Sequence, residues 1–384
     1  MREATRLTQA GKLSEATQLI QRAMAGSPPV SESATPTASD VLDGLVFEVD
    51  EAQPVAQAPL QAEASALFAK RVDSTTETFT ETFTETLTET FTSGQFAREG
   101  QTHHYKLYSP AGVPVSGLAD ATSTEFLPLV VMLHGCTQNP DDFSVGTAMN
   151  VAARAQGFYV LYPSQQRASN SQGCWNWFER GHQQRGTGEP AWIAELTRHL
   201  LRTLPIDSGR IYIAGLSAGG AMAAVVAAAY PDLFAAVGVH SGLPVGAARN
   251  LAEALRAMKH GASQPRSASP PVPSIVFHGD QDRTVHARNA QGLINAAIAG
   301  APCDVKTVAG TAMGRKYTRS VYARESQGEA RGQVHSQAEL WQLHGAGHAW
   351  AGGNPAGSYA DAKGIDATAE MLRFFWCHPH QHAG

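Results

Sequence analysis

The stretch Arg210-Ile211-Tyr212-Ile213-Ala214-Gly215-Leu216-Ser217-Ala218-Gly219-Gly220 decides how the rest of the chain is read. An apolar run at 211–214 suits a strand covered on both faces. An Ala-rich run over 221–229 suits a helix packed tightly on a sheet. Between them sits Gly-x-Ser-x-Gly, which in a strand-to-helix context marks a sharp turn that lifts the serine above the sheet edge. Residues two before and two after the serine must be small there, and Gly215 and Gly219 are. Ser217 is therefore the candidate nucleophile. The Ala218 N–H, at a helix N-terminus, is a candidate donor to a developing oxyanion. The bland alternative is a serine cap in a Gly-rich turn.

A serine is a poor nucleophile without a base. On such a scaffold the expected chain order is serine, acid, histidine. The run Ser274-Ile275-Val276-Phe277 reads as a strand and leads into His278-Gly279-Asp280-Gln281-Asp282. Asp282 is the preferred acid, with Asp280 as competitor. A later strand, 339–343, leads into His344-Gly345-Ala346-Gly347-His348-Ala349-Trp350. His348 in its Gly-bounded loop is the candidate base; His344, at the strand end, is the alternative. His240, His278 and His286 read as structural or rim residues. Upstream, the apolar run 129–133 leads into His134-Gly135-Cys136-Thr137-Gln138, so the Cys136 N–H is the second candidate oxyanion donor and His134 a loop support.

Around these motifs strand and helix signals alternate. Strands are expected at 105–108, 158–161, 235–239 and 304–308, and helices at 145–156, 190–204, 217–229, 286–299 and 366–377. That alternation predicts an α/β fold with a mostly parallel central sheet and helices on both faces.

The first 93 residues differ. Every Trp, Tyr, Cys and His of the 384 residues lies beyond residue 102, so the N-terminal part lacks the residue types that usually anchor a core. Residues 1–25 carry Leu7, Leu13, Ala16, Leu19, Ile20 and Ala23 at helical spacing and read as an amphipathic segment that docks on a protein or polymer granule. The turn at 10–17 resembles that of a tetratricopeptide-type repeat, without a second copy. Lys12 and Glu15 interrupt the apolar stretch a signal peptide needs, so a cytoplasmic location is expected. Residues 26–93 read as a low-complexity linker, with Thr-Glu-Thr-Phe repeated over 76–91. The catalytic domain is placed at 94–378, and a disordered tail at 379–384. A net charge of −5 argues against a nucleic-acid partner, and no charge-free apolar run is long enough for a membrane span. Neither a metal nor an organic cofactor is expected; His378, His380 and His382 read as a frayed polar terminus.

With these motifs in order, the chain resembles the esterase/poly(3-hydroxybutyrate) depolymerase family of α/β-hydrolases, which also takes in feruloyl and acetylxylan esterases. The matching stretches are Leu133–Gln138, Tyr162-Pro163, Cys174–Phe178, Gly215–Gly220, His278–Asp282, Gly345–Trp350 and Gly352-Gly353, spread over about 94–377. The resemblance implies a triad of Ser217, Asp282 and His348 and an aromatic-lined cleft. It implies an ester or polyester substrate, most simply a short-chain polyhydroxyalkanoate or its oligomers. Carbohydrate feruloyl or acetyl esters are the alternative, and a non-catalytic granule-docking protein the reading from another class. Secreted relatives carry a leader, and many polymer-degrading ones a separate polymer-binding module; neither is read here.

Trp175, Trp177 and Trp350 fall in loops near the expected mouth and are the candidate substrate contacts, with loop packing as the alternative for the first two. Cys136 and Cys174 both lie in loops over the same edge, so a bridge between them is expected. Cys303 with Cys377 is a second expected bridge. Four cysteines allow three pairings, and four reduced thiols is the alternative.

Overall fold

In β3 (Leu127–Leu133), Leu129, Val131 and Leu133 join one buried cluster, while Val130 and Met132 join another. In β5 (Ile206–Leu216), Ile211 and Ile213 face the first cluster, and Tyr212, Ala214 and Leu216 the second. This period-two sorting means that the strands are apolar on both sides because both sheet faces are covered. The computed structural model describes residues 88–111, 126–262, 272–299, 301–325 and 334–380. The amphipathic segment 1–25, nearly all of the linker and His382 lie outside the described residues.

The other strands are β1 (Thr90–Arg98), β2 (Gln101–Ser109), β4 (Tyr159–Ser164), β6 (Ala236–His240), β7 (Ser274–Gly279), β8 (Asp304–Ala312), β9 (Arg315–Glu325) and β10 (Val334–Leu343). Among the described residues they form one sheet in the order β1-β2-β4-β3-β5-β6-β7-β10-β9-β8. The central run from β4 to β10 is parallel, and antiparallel strands finish both ends. A short parallel pair, β11 (Trp350–Ala351) and β12 (Ala360–Asp361), forms a second sheet.

One face is covered by α3 (Gly188–Thr203), α4 (Ala218–Ala229), α5 (Leu251–His260) and α6 (Arg288–Ile298). The other is covered by α1 (Pro140–Thr147), α2 (Met149–Gln156) and α7 (Ala367–Trp376). The fold is that of an α/β-hydrolase, as expected. No helix among the described residues is long and apolar enough to cross a membrane.

Several boundaries are corrected. The helix expected at 145–156 is two helices, broken at Ala148, whose φ of 53° is left-handed. The end of the Thr-Glu-Thr-Phe repeat belongs to the sheet rather than to a linker ending at 93. Phe91 in β1 packs edge-on against Tyr162, with ring centroids 5.6 Å apart, and Glu89 accepts hydrogen bonds from Tyr108 at 2.5 Å and Arg154 at 2.6 Å. At the other end the tail is anchored through residue 380. The His380 N–H donates to Gly209 O at 2.8 Å, and His378 contacts the Ser336 and Phe374 carbonyls at 2.6 and 2.7 Å.

Candidate active site

The parallel strands bring their C-terminal ends to one edge. Leu216 of β5 pairs with His240 of β6, His240 with Phe277 of β7, and Leu343 of β10 with Gly279 of β7. Ser217, Asp282 and His348 follow β5, β7 and β10 within a few residues, so the topology alone collects them on that edge.

Ser217 has φ 57° and ψ −120°, a strained conformation for a residue with a side chain. Its surroundings enforce it. The Ser217 N–H donates to His240 O at 2.9 Å, and its carbonyl accepts from Ala221 in the first turn of α4. Gly215 and Gly219 are needed for close approach. A Cβ on Gly215 would lie 2.7 Å from Leu133 O, and one on Gly219 would lie 2.5 Å from His134 O and collide with the Leu133 carbonyl. The elbow is thus pressed against the end of β3.

The loop after β3 supplies Cys136. It is fixed by a disulfide from Cys136 to Cys174, by the Trp175 indole N–H donating to His134 O at 3.0 Å, and by the Gly135 N–H donating to Gln138 Oε1 at 2.9 Å. A Cβ on Gly135 would lie 3.6 Å from Ser217 Cβ, so this loop borders the serine. Among the described residues the N–H groups of Cys136 and Ala218 have no hydrogen-bond acceptor. His134 is buried and supports the loop; its Nε2 accepts from the Gln165 N–H at 3.2 Å, and burial pushes its pKa down.

His348 Nδ1 lies 2.7 Å from Asp282 Oδ2. Beside a carboxylate, Nδ1 carries the proton and Nε2 keeps its lone pair. Asp282 Oδ1 accepts from the Thr284 and Val285 N–H groups at 2.9 and 2.8 Å, and His278 Nε2 stands 3.5 Å from Oδ2. Burial alone would raise the Asp282 pKa. The contacts from His278 and His348 outweigh it and hold the carboxyl well below the ordinary range. His278 Nε2 also donates to Val285 O at 2.8 Å, and its Nδ1 is buried without a partner. Asp280 faces elsewhere: its carboxylate contacts His344 Nδ1 at 3.0 Å and the Gly345 N–H at 2.7 Å, an exposed pair that braces the start of the histidine loop. Among the described residues no hydrogen bond joins the Ser217 hydroxyl to His348. Such bonds are often long before substrate binds.

The expected tryptophan contacts are corrected. Trp350 is 1% exposed, stacks on His240 at 5.3 Å and donates to Thr368 Oγ1 at 3.0 Å. Trp175 is fully buried and Trp177 nearly so, against Phe178. All three pack in the interior, where large apolar rings removed from water stabilise the fold. The exposed aromatic of this edge is Tyr359, which sequence reading passed over. It lies edge-on to His348, with ring centroids 6.5 Å apart, and its OH is 3.3 Å from Thr137 Oγ1. Its signal in sequence is weak, a lone Tyr nine residues past Trp350 in a Gly-rich loop. The second expected bridge is also corrected: Cys303 and Cys377 are both free.

A family model described as esterase PHB depolymerase matches residues 105–302. Poly(3-hydroxyalkanoate) depolymerase C of Paucimonas lemoignei is 35% identical over 193 residues, 47% of this chain and 44% of that protein. Feruloyl esterase B of Thermothelomyces thermophilus is 34% identical over 122 residues, 32% of this chain and 41% of that protein. A probable acetylxylan esterase A of Aspergillus fumigatus is 26% identical over 180 residues, 42% of this chain and 48% of that protein. The chain spans less than half the length of each of these relatives. Among solved structures, an acetyl xylan esterase from Aspergillus awamori shares the fold, with a TM-score of 0.53 at 18% identity, covering 74% of this chain and 99% of that one.

Proposed function

This chain belongs to the esterase PHB depolymerase family, and on that premise we propose that it is a serine carboxylic-ester hydrolase. In this reading Ser217 Oγ attacks an ester carbonyl while His348 Nε2 takes its proton. Asp282 holds the imidazole in the tautomer that leaves Nε2 free and stabilises the imidazolium. The Cys136 and Ala218 N–H groups receive the oxyanion. His348 then protonates the leaving alkoxide, and water repeats the cycle on the acyl-enzyme. The observation that carries the reading is the 2.7 Å contact of His348 with a buried, charged Asp282 on the sheet edge that also bears the strained Ser217.

For substrate we propose short-chain 3-hydroxyalkanoate oligomers or polyester, favoured by the 35% identity to a poly(3-hydroxyalkanoate) depolymerase. Carbohydrate acetyl or feruloyl esters are the second reading, favoured by the acetylxylan and feruloyl esterase relatives. A panel of 3-hydroxybutyrate oligomers, acetylated xylan and feruloyl sugar esters separates the two by kcat/KM. The polyester reading expects the oligomers to lead by at least about tenfold, or about 1.4 kcal/mol in the barrier. Ser217→Ala should abolish turnover of every ester that the wild type cleaves. Activity retained in that variant would overturn the site assignment.

A further inference from the structure

The three tryptophans expected to contact substrate are buried, while Tyr359 is 46% exposed beside His348. Its position is built rather than incidental. Tyr359 has φ 50°, a left-handed conformation that a bulky residue adopts only where the surroundings impose it. The imposing contacts come from both sides of the site. Its carbonyl accepts from the Trp350 N–H at 2.7 Å, two residues past His348. The preceding Ser358 is held by Asp142, which accepts from the Ser358 N–H at 2.8 Å and from Oγ at 2.5 Å. Gln138 closes the network: its Nε2 donates to Ser358 O at 3.0 Å and to Asp142 Oδ2 at 2.9 Å, and its Oε1 accepts from the Gly135 N–H.

The phenol therefore spans the mouth, from the loop of the candidate base to Thr137, which directly follows the oxyanion donor Cys136. Thr137 is itself left-handed, with φ 66°. An exposed ring pinned at this place offers an apolar face to whatever extends from an ester carbonyl seated at Ser217.

Resting on the esterase reading above, we propose that Tyr359 is a specificity-determining residue whose ring packs against the acyl chain of the bound ester and sets its preferred length. The tyrosine takes no part in proton transfer, so its removal acts on KM in a chain-length-dependent way and leaves kcat nearly unchanged.

The test uses the full chain with p-nitrophenyl acetate, butyrate and hexanoate. Tyr359→Asn removes the ring and suits the left-handed backbone. Tyr359→Phe keeps the ring and removes only the link to Thr137. For Tyr359→Asn the KM for butyrate should rise about fivefold to tenfold, the order expected when two methylenes lose an apolar partner. Acetate should move by less than about twofold and hexanoate by at least as much as butyrate, with kcat for all three nearly unchanged. Tyr359→Phe should keep the wild-type length profile. A uniform KM change, no change, or a loss confined to kcat in Tyr359→Asn overturns the proposal, as does a Tyr359→Phe variant that loses the length profile. Failure of the wild type to cleave any of the three esters would instead strike the esterase reading on which the proposal rests.

Discussion

His240 never meets solvent. It is stacked between Phe277 and Trp350, at 5.8 and 5.3 Å. Its Nε2 accepts from the Ala351 N–H at 3.1 Å, so the ring proton sits on Nδ1, toward Ser241. Burial, reinforced by His278 and His348 and opposed by Asp282, lowers its pKa to about 3. In an unfolded chain the same group titrates near 6.5. Between those values the unfolded state binds the extra proton, so stability rises with pH and falls on acidification. The loss is complete near pH 3 and amounts to at most about 5 kcal/mol. Urea midpoints measured from pH 7 to pH 4 should fall steeply, and His240→Gln should flatten that slope. An equally steep slope in the variant would remove His240 as the cause. The serine motif was legible at this scale because Gly215 and Gly219 are demanded by contacts with the Leu133 and His134 carbonyls, and such demands leave a sequence mark. Gly219→Ala should yield protein that misfolds or lacks esterase activity, read by circular dichroism and ester turnover. Tyr359 left only a weak mark, because its contacts with Thr137 and His348 join loops far apart in sequence.

At the scale of elements, the alternation of apolar runs and helix signals foretold the central strands and the two-sided helical cover. Among the strands of the main sheet, sequence reading missed β1 and β9, toward its two ends. β9 mixes charged, hydroxyl and aromatic residues and so lacks the apolar run that marks the central strands. It is pinned by Arg319, which pairs with buried Glu339 of β10 at 2.8 Å, and Glu339 also receives Arg373 of α7 at 2.6 Å. Neither contact can be read from local periodicity. α5 was passed over although its start is readable, since Asn250 caps it by accepting from the Glu253 N–H at 3.0 Å, and Ala254 and Ala257 bury one face at helical spacing. The Cys136–Cys174 bridge ties the loop after β3 to the 174–178 segment across 38 residues. A loop of that size is worth about 3–4 kcal/mol by chain-entropy reasoning. Cys174→Ser should therefore lower the denaturation midpoint and slow turnover through the loosened loop. Alkylation of the denatured, unreduced chain should modify Cys303 and Cys377 only; four modified thiols before reduction would show that the bridge is absent.

At the scale of the whole molecule, the described residues all belong to one of two units, Glu85–Gly384. The compositional break near residue 93 was visible in the sequence, but the domain begins before it. Glu89 and Phe91 belong to the domain through Tyr108, Arg154 and Tyr162. A chain beginning at residue 85 should therefore keep wild-type soluble-ester turnover and melting temperature. One beginning at residue 100 strips β1 from the edge of β2 and should melt several degrees lower. Equal melting of the two would show that β1 contributes nothing.

The proposed chemistry requires the Ser217 hydroxyl to become the acylated atom, activated by His348 against Asp282. Its most direct test is to treat the full chain with an organophosphonate ester and locate the adduct by mass spectrometry of the digested protein. One adduct per chain is predicted, on the peptide carrying Ser217, with parallel loss of ester turnover, and none in Ser217→Ala or at comparable rate in His348→Ala. An adduct on another residue that accompanies full inactivation, or full inactivation of turnover with Ser217 unmodified, would contradict it.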